Sequence, residues 1–263
     1  MDFGIKGKIA LVTASTRGLG RGCAEQLAQE HCRVAVCSRN QNQAEQAAKE
    51  ISQKTGAQVI GFGADMSSAD DINALLKQVQ AALGDPDILV TNAGGPPPGT
   101  FASTPLEAYE KALNLNLMSA VLLIHGVTPA MRSNQWGRII AITSTSVKQP
   151  IGTLLLSNMA RTGLTGFLKT IATELAPDGI TVNAILPGIH KTSRIDQLAQ
   201  HRADQENKTA EEIIREMMDN NPSKTMGDPM DFGAAAVFLA SVQARYITGQ
   251  SLLIDGGAYP GLL

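Results

Sequence analysis

The stretch KIALVTASTRGLGRGCAEQLAQEHC (8–32) decides how the rest of the chain is read. Its first part, KIALVTAS (8–15), is a β-branched apolar run that stops at a glycine-rich turn. From Gly18 onward the apolar residues fall at helical spacing. Strand, tight turn and helix in that order form the first half of a strand–helix–strand unit. Gly18 and Gly20 would let the main chain approach a pyrophosphate, which rests on the N–H groups and positive dipole end of the helix they open. Glycines in a tight strand–helix turn look the same without any ligand. The strand before them and the helix after them favour the nucleotide reading.

Working outward, the same alternation repeats. RVAVCSR (33–39) is a second apolar run, followed by a polar helix that stops at Gly56. AQVIGFGAD (57–65) is a third, and the helix after it takes Ser67 or Ser68 as N-cap and ends at Gly84. DILVTNAG (87–94) is the fourth, leading through a Pro-rich loop to a long helix from about Pro105 to Arg132. GRIIAITSTS (137–146), ITVNAILPG (180–188) and SLLIDGG (251–257) complete the strands, with helices over about 153–176 and 228–241 between them. Runs that are apolar throughout are buried on both faces, and alternation with helices makes their strands parallel. The pattern predicts one Rossmann-type α/β domain over residues 1–263, a doubly wound, seven-stranded parallel sheet with helices on both faces. The charged stretch 189–227 interrupts the rhythm after the sixth strand. Ligands of such sheets bind beyond the carboxyl ends of the strands, so this insertion is either a substrate lid or a solvated helical excursion.

Composition narrows the function classes. With 263 residues, 43% hydrophobic and 17% charged, and a net charge of −2, the chain buries a large core and offers no general field for nucleic acid or an acidic membrane. No apolar run approaches the length expected of a transmembrane helix. The start MDFGIKGKIALV carries no signal-peptide pattern, which points to a cytoplasmic protein. Cys23, Cys32 and Cys37 have no metal-ligand spacing and read as reduced thiols, and the four histidines are scattered, so no metal site is expected.

Two arginines refine the nucleotide reading. Arg17 lies in the glycine loop, and Arg39 ends the second strand, where an acidic residue would bind a ribose 2′-hydroxyl. Either could be a solvated charge; together they suit a 2′-phosphate and favour NADP(H) over NAD(H).

With these residues in place, the sequence resembles the short-chain dehydrogenase/reductase family, most of all its 3-oxoacyl-carrier-protein-reductase-like branch. The resemblance spans the chain. It is carried by Thr13-x4-Gly-x-Gly, Asn92-Ala93-Gly94, Gly137-Arg-Ile-Ile before a serine, Pro187-Gly188 with Thr192, and Tyr246-Ile-Thr-Gly-Gln before Asp255-Gly-Gly. It implies cofactor contacts from Thr13, Ser15, Thr16, Arg17, Gly18, Leu19 and Gly20, from Asp65 and Met66 toward the adenine, and from Asn92, Ala93 and Gly94. Pro187, Gly188, Ile189 and Thr192 would hold the nicotinamide end. It also implies a homotetramer or dimer, packed through the long fourth and fifth helices and the C-terminal strand. The family's first loop glycine is Ala14 here, a small change that many binding loops tolerate.

A larger departure lies in the catalytic set, which in the family is Asn, Ser, Tyr and Lys. Asn116 and Ser144 match the first two, but the positions of the tyrosine and lysine hold Ser157 and Arg161. Ketone reduction needs a hydride and a proton for the developing alkoxide. A serine hydroxyl is a far weaker acid than a phenol and reaches less far. Arg161 keeps a positive charge able to hold ribose hydroxyls, stays protonated, and lies one turn from Ser157 on the same helical face. Lys148, His190, or a water ordered by Thr145 and Ser146 could supply the proton instead, though Lys148 reads more readily as a solvated loop charge and His190 as a lid residue facing water. Three functions follow: an NADPH-dependent reductase of a ketone or 3-oxoacyl substrate (or the reverse alcohol oxidation) with an unusual proton donor, an NADP-binding sensor or partner subunit without redox turnover, or a lyase or dehydratase using Arg161 and Ser144 to polarise a carbonyl. The Pro-rich loop 95–99 and Met217-Met218 hint at an apolar pocket.

Overall fold

Alternate residues of a strand point to opposite faces, and here both sets are apolar. In β1 (Ile9–Val12), Ile9 and Leu11 pack on one face, Ala10 and Val12 on the other. β2 (Arg33–Ser38) divides in the same way, Ala35 and Cys37 opposite Val34 and Val36. Such strands find cover only between two helical layers. The structure, a computed structural model, describes residues 2–262 and has that arrangement. With β3 (Val59–Gly63), β4 (Ile88–Thr91), β5 (Gly137–Ile142), β6 (Ile180–Pro187) and β7 (Ser251–Ile254), the strands form one seven-stranded parallel sheet in the order β3-β2-β1-β4-β5-β6-β7. Strand order therefore reverses between β1 and β4.

Helices α1 (Gly18–Gln29), α2 (Gln41–Thr55) and, from the far end of the chain, α9 (Pro229–Ala240) cover one face through Leu27, Ile51 and Phe232. The other face is covered by α3 (Ala69–Ala82), α4 (Glu107–Leu113), α5 (Ser119–Ser133) and α6 (Leu155–Leu175), with Leu75, Leu123 and Leu164 in the core. The helix ends follow capping chemistry. The Asn40 side chain accepts from Gln43 N, α2 stops at Gly56 with φ 73°, and Ser68 rather than Ser67 caps α3 by accepting from Asp71 N.

α4 and α5 are one continuous helix joined through a single π-type segment, Asn114–Met118. This corrects the expectation that nothing reaches membrane length: Glu107–Ser133 is 27 residues and apolar enough to cross a bilayer by length and composition. Its apolar residues have a different use, since Leu123, Ile124, Val127 and Met131 are buried in the core under the sheet. Cys23, Cys32 and Cys37 are free and buried, and burial pushes their thiols up to about 12, 12 and 11.

The charged insertion folds as a helical hairpin, α7 (Ser193–Glu206) and α8 (Ala210–Asp219), around a small core of Ala199, Ala203 and Ile213. Thr209 and Glu212 form a reciprocal capping box at the start of α8. A parallel bridge between His190 and Gly227 ties the two ends of the excursion together.

The closest helix contact lies between α1 and α9, where Gly22 meets Pro229 and Gly233. A β-carbon at Gly22 would fall 1.9 Å from the Pro229 carbonyl oxygen, and one at Gly233 would fall 2.3 Å from the Gly22 oxygen. Main chain faces main chain there, so no side chain can yield. Gly22→Ala should lower stability by about 3 kcal/mol, read as a drop in the urea midpoint. Gly152→Ala, whose β-carbon would meet nothing within 4 Å, should leave the midpoint nearly unchanged.

Candidate functional site

A cleft of about 1820 Å³ opens beyond the carboxyl ends of the strands, around the β1/β4 reversal. Its nucleotide side is built from the turn after β1. The Thr13 hydroxyl donates to the Asn92 carbonyl (2.7 Å) and accepts from Asn92 N (2.8 Å), and Asn92 Nδ2 donates to the Ala14 carbonyl (3.0 Å). Ser15 Oγ donates to the Val12 carbonyl and accepts from Cys37 N, fixing the turn to β2 as well. A β-carbon at Gly20 would lie 2.6 Å from the Ala14 oxygen and 2.8 Å from Asn92 Nδ2, so this position requires glycine. Thr13, Ser15 and Gly20, expected at the cofactor, are buried and are not on the cleft wall; they hold the loop that is.

Thr16, Arg17, Gly18 and Leu19 do line the cleft, as do Arg39, Asp65, Met66, Asn92, Ala93 and Gly94. Arg17 is the N-cap of α1 but supplies no side-chain cap, which leaves the first N–H groups of the helix for another acceptor. Arg17 and Arg39 are exposed, and among the described residues neither forms an ion pair. Asp65 is held below the usual carboxylate range, first by the Ser67 main-chain N–H, with the Ser67 hydroxyl and Arg39 adding and burial opposing. An uncapped helix start and a loop pressed close by glycine fit the pyrophosphate of a dinucleotide, with two exposed guanidinium groups beside it.

Across the reversal, Ser144 follows β5 and caps a short 3-10 turn by accepting from Ser146 N (3.1 Å). Ser157 and Arg161 stand one turn apart on α6, both on the cleft wall. Among the described residues, the Ser157 hydroxyl makes no hydrogen bond. Arg161 Nη1 donates to the Ile142 (2.9 Å) and Thr143 (3.0 Å) carbonyls, the last of β5 and the first beyond it. One edge of the guanidinium is thus committed to the fold, where the sequence placed the whole group at the ribose. Burial, with nearby Arg194 adding, pushes Arg161 down to about 10, so it remains a cation at neutral pH. Asn116 lies in the π-type segment, buried and off the cleft wall, with its Oδ1 unpaired among the described residues.

The alternative proton sources fare differently from expectation. His190 does not face water: it is 3% exposed, edge-on to Phe232 with centroids 5.2 Å apart, and its ring fills the place a β-carbon at Gly227 would need. Burial holds its pKa below the usual value, and it fixes the base of the insertion. Lys148 is not on the cleft wall; Thr145 is, while Ser146 is buried off it. Pro187, Gly188, Ile189 and Thr192 line the cleft beyond β6, His190 reaches its wall as well, and the insertion adds Gln197, Leu198, His201 and Met217.

Sequence reasoning missed Arg194. This residue occupies the first turn of α7, where the helix dipole disfavours a cation, and that misfit was the available signal. Its Nη2 donates to the Pro96 carbonyl (2.8 Å), and its guanidinium lies on Gly95, where a β-carbon would come within 2.7 Å of Cζ.

Comparison with known proteins bears on the family and the fold. Residues 13–259 match a family model described as enoyl-(acyl carrier protein) reductase. The chain is 35% identical over 255 residues to D-beta-hydroxybutyrate dehydrogenase of Cupriavidus necator, covering 96% of this chain and 98% of that one. It is 32% identical over 260 residues to 3-oxoacyl-(acyl-carrier-protein) reductase FabG of Aquifex aeolicus, covering 98% and 100%. Among solved structures, L-sorbose reductase from Gluconobacter frateurii, complexed with NADPH and L-sorbose, superposes with a TM-score of 0.94 at 31% identity over 100% of both chains.

Ala14, expected to be a harmless replacement, sits at φ 45°, in the left-handed region that favours glycine. Ala14→Gly should therefore raise stability by about 1 kcal/mol, measured by urea unfolding without ligand.

Proposed function

Because the chain belongs to the short-chain dehydrogenase/reductase family, we propose that it is an NADP(H)-dependent oxidoreductase acting on a ketone, 3-oxoacyl or alcohol substrate. The observation that carries the cofactor preference is the pair Arg17 and Arg39, both exposed on the cleft wall and, among the described residues, in no direct ion pair. Guanidinium forks suit a 2′-phosphate, whereas a ribose 2′-hydroxyl calls for an acid at the end of β2. The carbonyl chemistry is supported by relatives named as a hydroxybutyrate dehydrogenase and a 3-oxoacyl reductase, and by a structural neighbour named as a sorbose reductase.

NADPH, when bound, supplies the hydride. The protein's part is to orient the carbonyl and stabilise the developing oxyanion. Ser144 and Ser157 each bring a hydroxyl to the same wall, and Arg161 places a fixed positive charge behind them. No phenol stands on α6, so the proton comes from a water held between these hydroxyls. The same replacements favour a second reading, an NADP-binding sensor or partner subunit without turnover; a lyase or dehydratase using Ser144 and Arg161 would form product with no change in the cofactor.

In this reading the insertion 189–227 is the substrate lid, since its residues line the cleft from both α7 and α8. The enzyme is cytoplasmic and homo-oligomeric, and Phe238, Tyr246 and Leu252, exposed on α9, the following loop and β7, suit an interface with a second copy.

Calorimetric titration should show NADPH binding at least tenfold tighter than NADH, and Arg39→Ala should bring the two together. No binding of either would overturn the oxidoreductase reading. With NADPH bound, a Ser157→Tyr, Arg161→Lys double variant should raise kcat on simple 3-oxo esters by roughly 100-fold, the low end of general-acid catalysis. A wild type already as fast as that variant would show that the site needs no phenol.

A further inference from the structure

The substrate half of the cleft carries more positive charge than the fold can use. Arg161 and Arg194 both line it, from α6 and from the first turn of α7. Among the described residues, neither is paired with a carboxylate. Arg161 is 8% exposed and spends only Nη1 on protein, while Arg194 spends only Nη2. That leaves Nε and one terminal nitrogen of each without a protein acceptor. Lys111 adds a third cation to the wall. The acids on the same cleft are committed or remote: Glu206 is held by Arg202 and Lys208, and Asp65 by Ser67 on the nucleotide side.

Two like charges, partly desolvated and close enough for one to depress the other, are costly unless an anion completes them. The cofactor's phosphates have their own receivers in α1, Arg17 and Arg39, on the β1–β2 side of the reversal. Arg161 and Arg194 stand on the β5–β6 side, around Ser144 and Ser157. Gly95 is shaped for the purpose, because any side chain there would lift the Arg194 guanidinium from its seat.

We propose that the substrate of this cleft carries a carboxylate, gripped by the free edges of Arg194 and Arg161, so that the carbonyl compound reduced is a short oxo acid. A planar guanidinium fork binds a carboxylate through two parallel hydrogen bonds, which fixes orientation as well as charge. The lid then brings one half of the grip and α6 the other.

This inference rests on the oxidoreductase reading, and its test separates the two. The protein is first titrated with NADP+, then the loaded complex is titrated with pyruvate, acetoacetate, oxaloacetate and 2-oxoglutarate, each beside its methyl ester. Oxidised cofactor cannot reduce a ketone, so the titration reads binding alone. At least one acid should bind tenfold or more tighter than its ester. Arg194→Ala should abolish that preference while leaving NADP+ and ester affinity unchanged, Arg194→Lys should restore part of it, and Gly95→Ala should weaken it with the charge still present. Equal binding of every acid and its ester, or a loss of NADP+ affinity in Arg194→Ala, overturns the carboxylate grip and leaves the oxidoreductase reading standing. Failure to bind NADP+ overturns both.

Discussion

Everything at the nucleotide end depends on the reciprocal bonding of Thr13 with Asn92. β1 and β4 are neighbours in the sheet but far apart in sequence, and their chains leave in opposite directions at the reversal. A gap must open between the two exits, and one hydroxyl with one main-chain unit spans it through two short hydrogen bonds. Asn92 Nδ2 then holds the Ala14 carbonyl, so the residue lining the cleft from β4 also sets the loop after β1. The strain at Ala14, the tight approach at Gly20 and the open start of α1 are all consequences of holding that loop where it is.

Arg161 shows how a replacement can change a residue's task without emptying its place. A lysine ammonium is a point charge on a flexible stem, whereas a guanidinium is broad and can serve two sides at once. Here one side closes the carbonyls at the end of β5 and the other faces the cleft. The charge at the site is therefore anchored in the sheet.

The fold was legible because its signals are local. Runs such as VAVC and IIAI are apolar at every position, Gly56 halts α2, and the serine pair before α3 announces its cap. Much of the cleft wall was legible too, since the glycine loop and Asn92-Ala93-Gly94 adjoin strands whose ends define it. What was lost depended on direction or distance. The inward turn of Thr13 and Ser15 follows from a backbone angle at Ala14 that no pattern announces. His190 reads as a lid residue in water until Phe232, from a helix beyond the insertion, packs on its ring. Arg194 acquires its meaning from Gly95, on a loop after another strand. The apolar count of Glu107–Ser133 escaped notice because polar residues interrupt its runs.

The glycine seam between α1 and α9 has a mechanical side. α9 begins directly after Gly227, where the insertion returns to the body, and its start is pressed main chain to main chain against α1. The other end of the insertion leaves from β6, inside the sheet. Both anchor points belong to the rigid part of the molecule, so sliding of α9 along α1 is blocked by the backbone contact itself. Any displacement of α7 and α8 against the body would have to be taken up in the short connections at 188–192 and 220–227, as a hinge and not as shear.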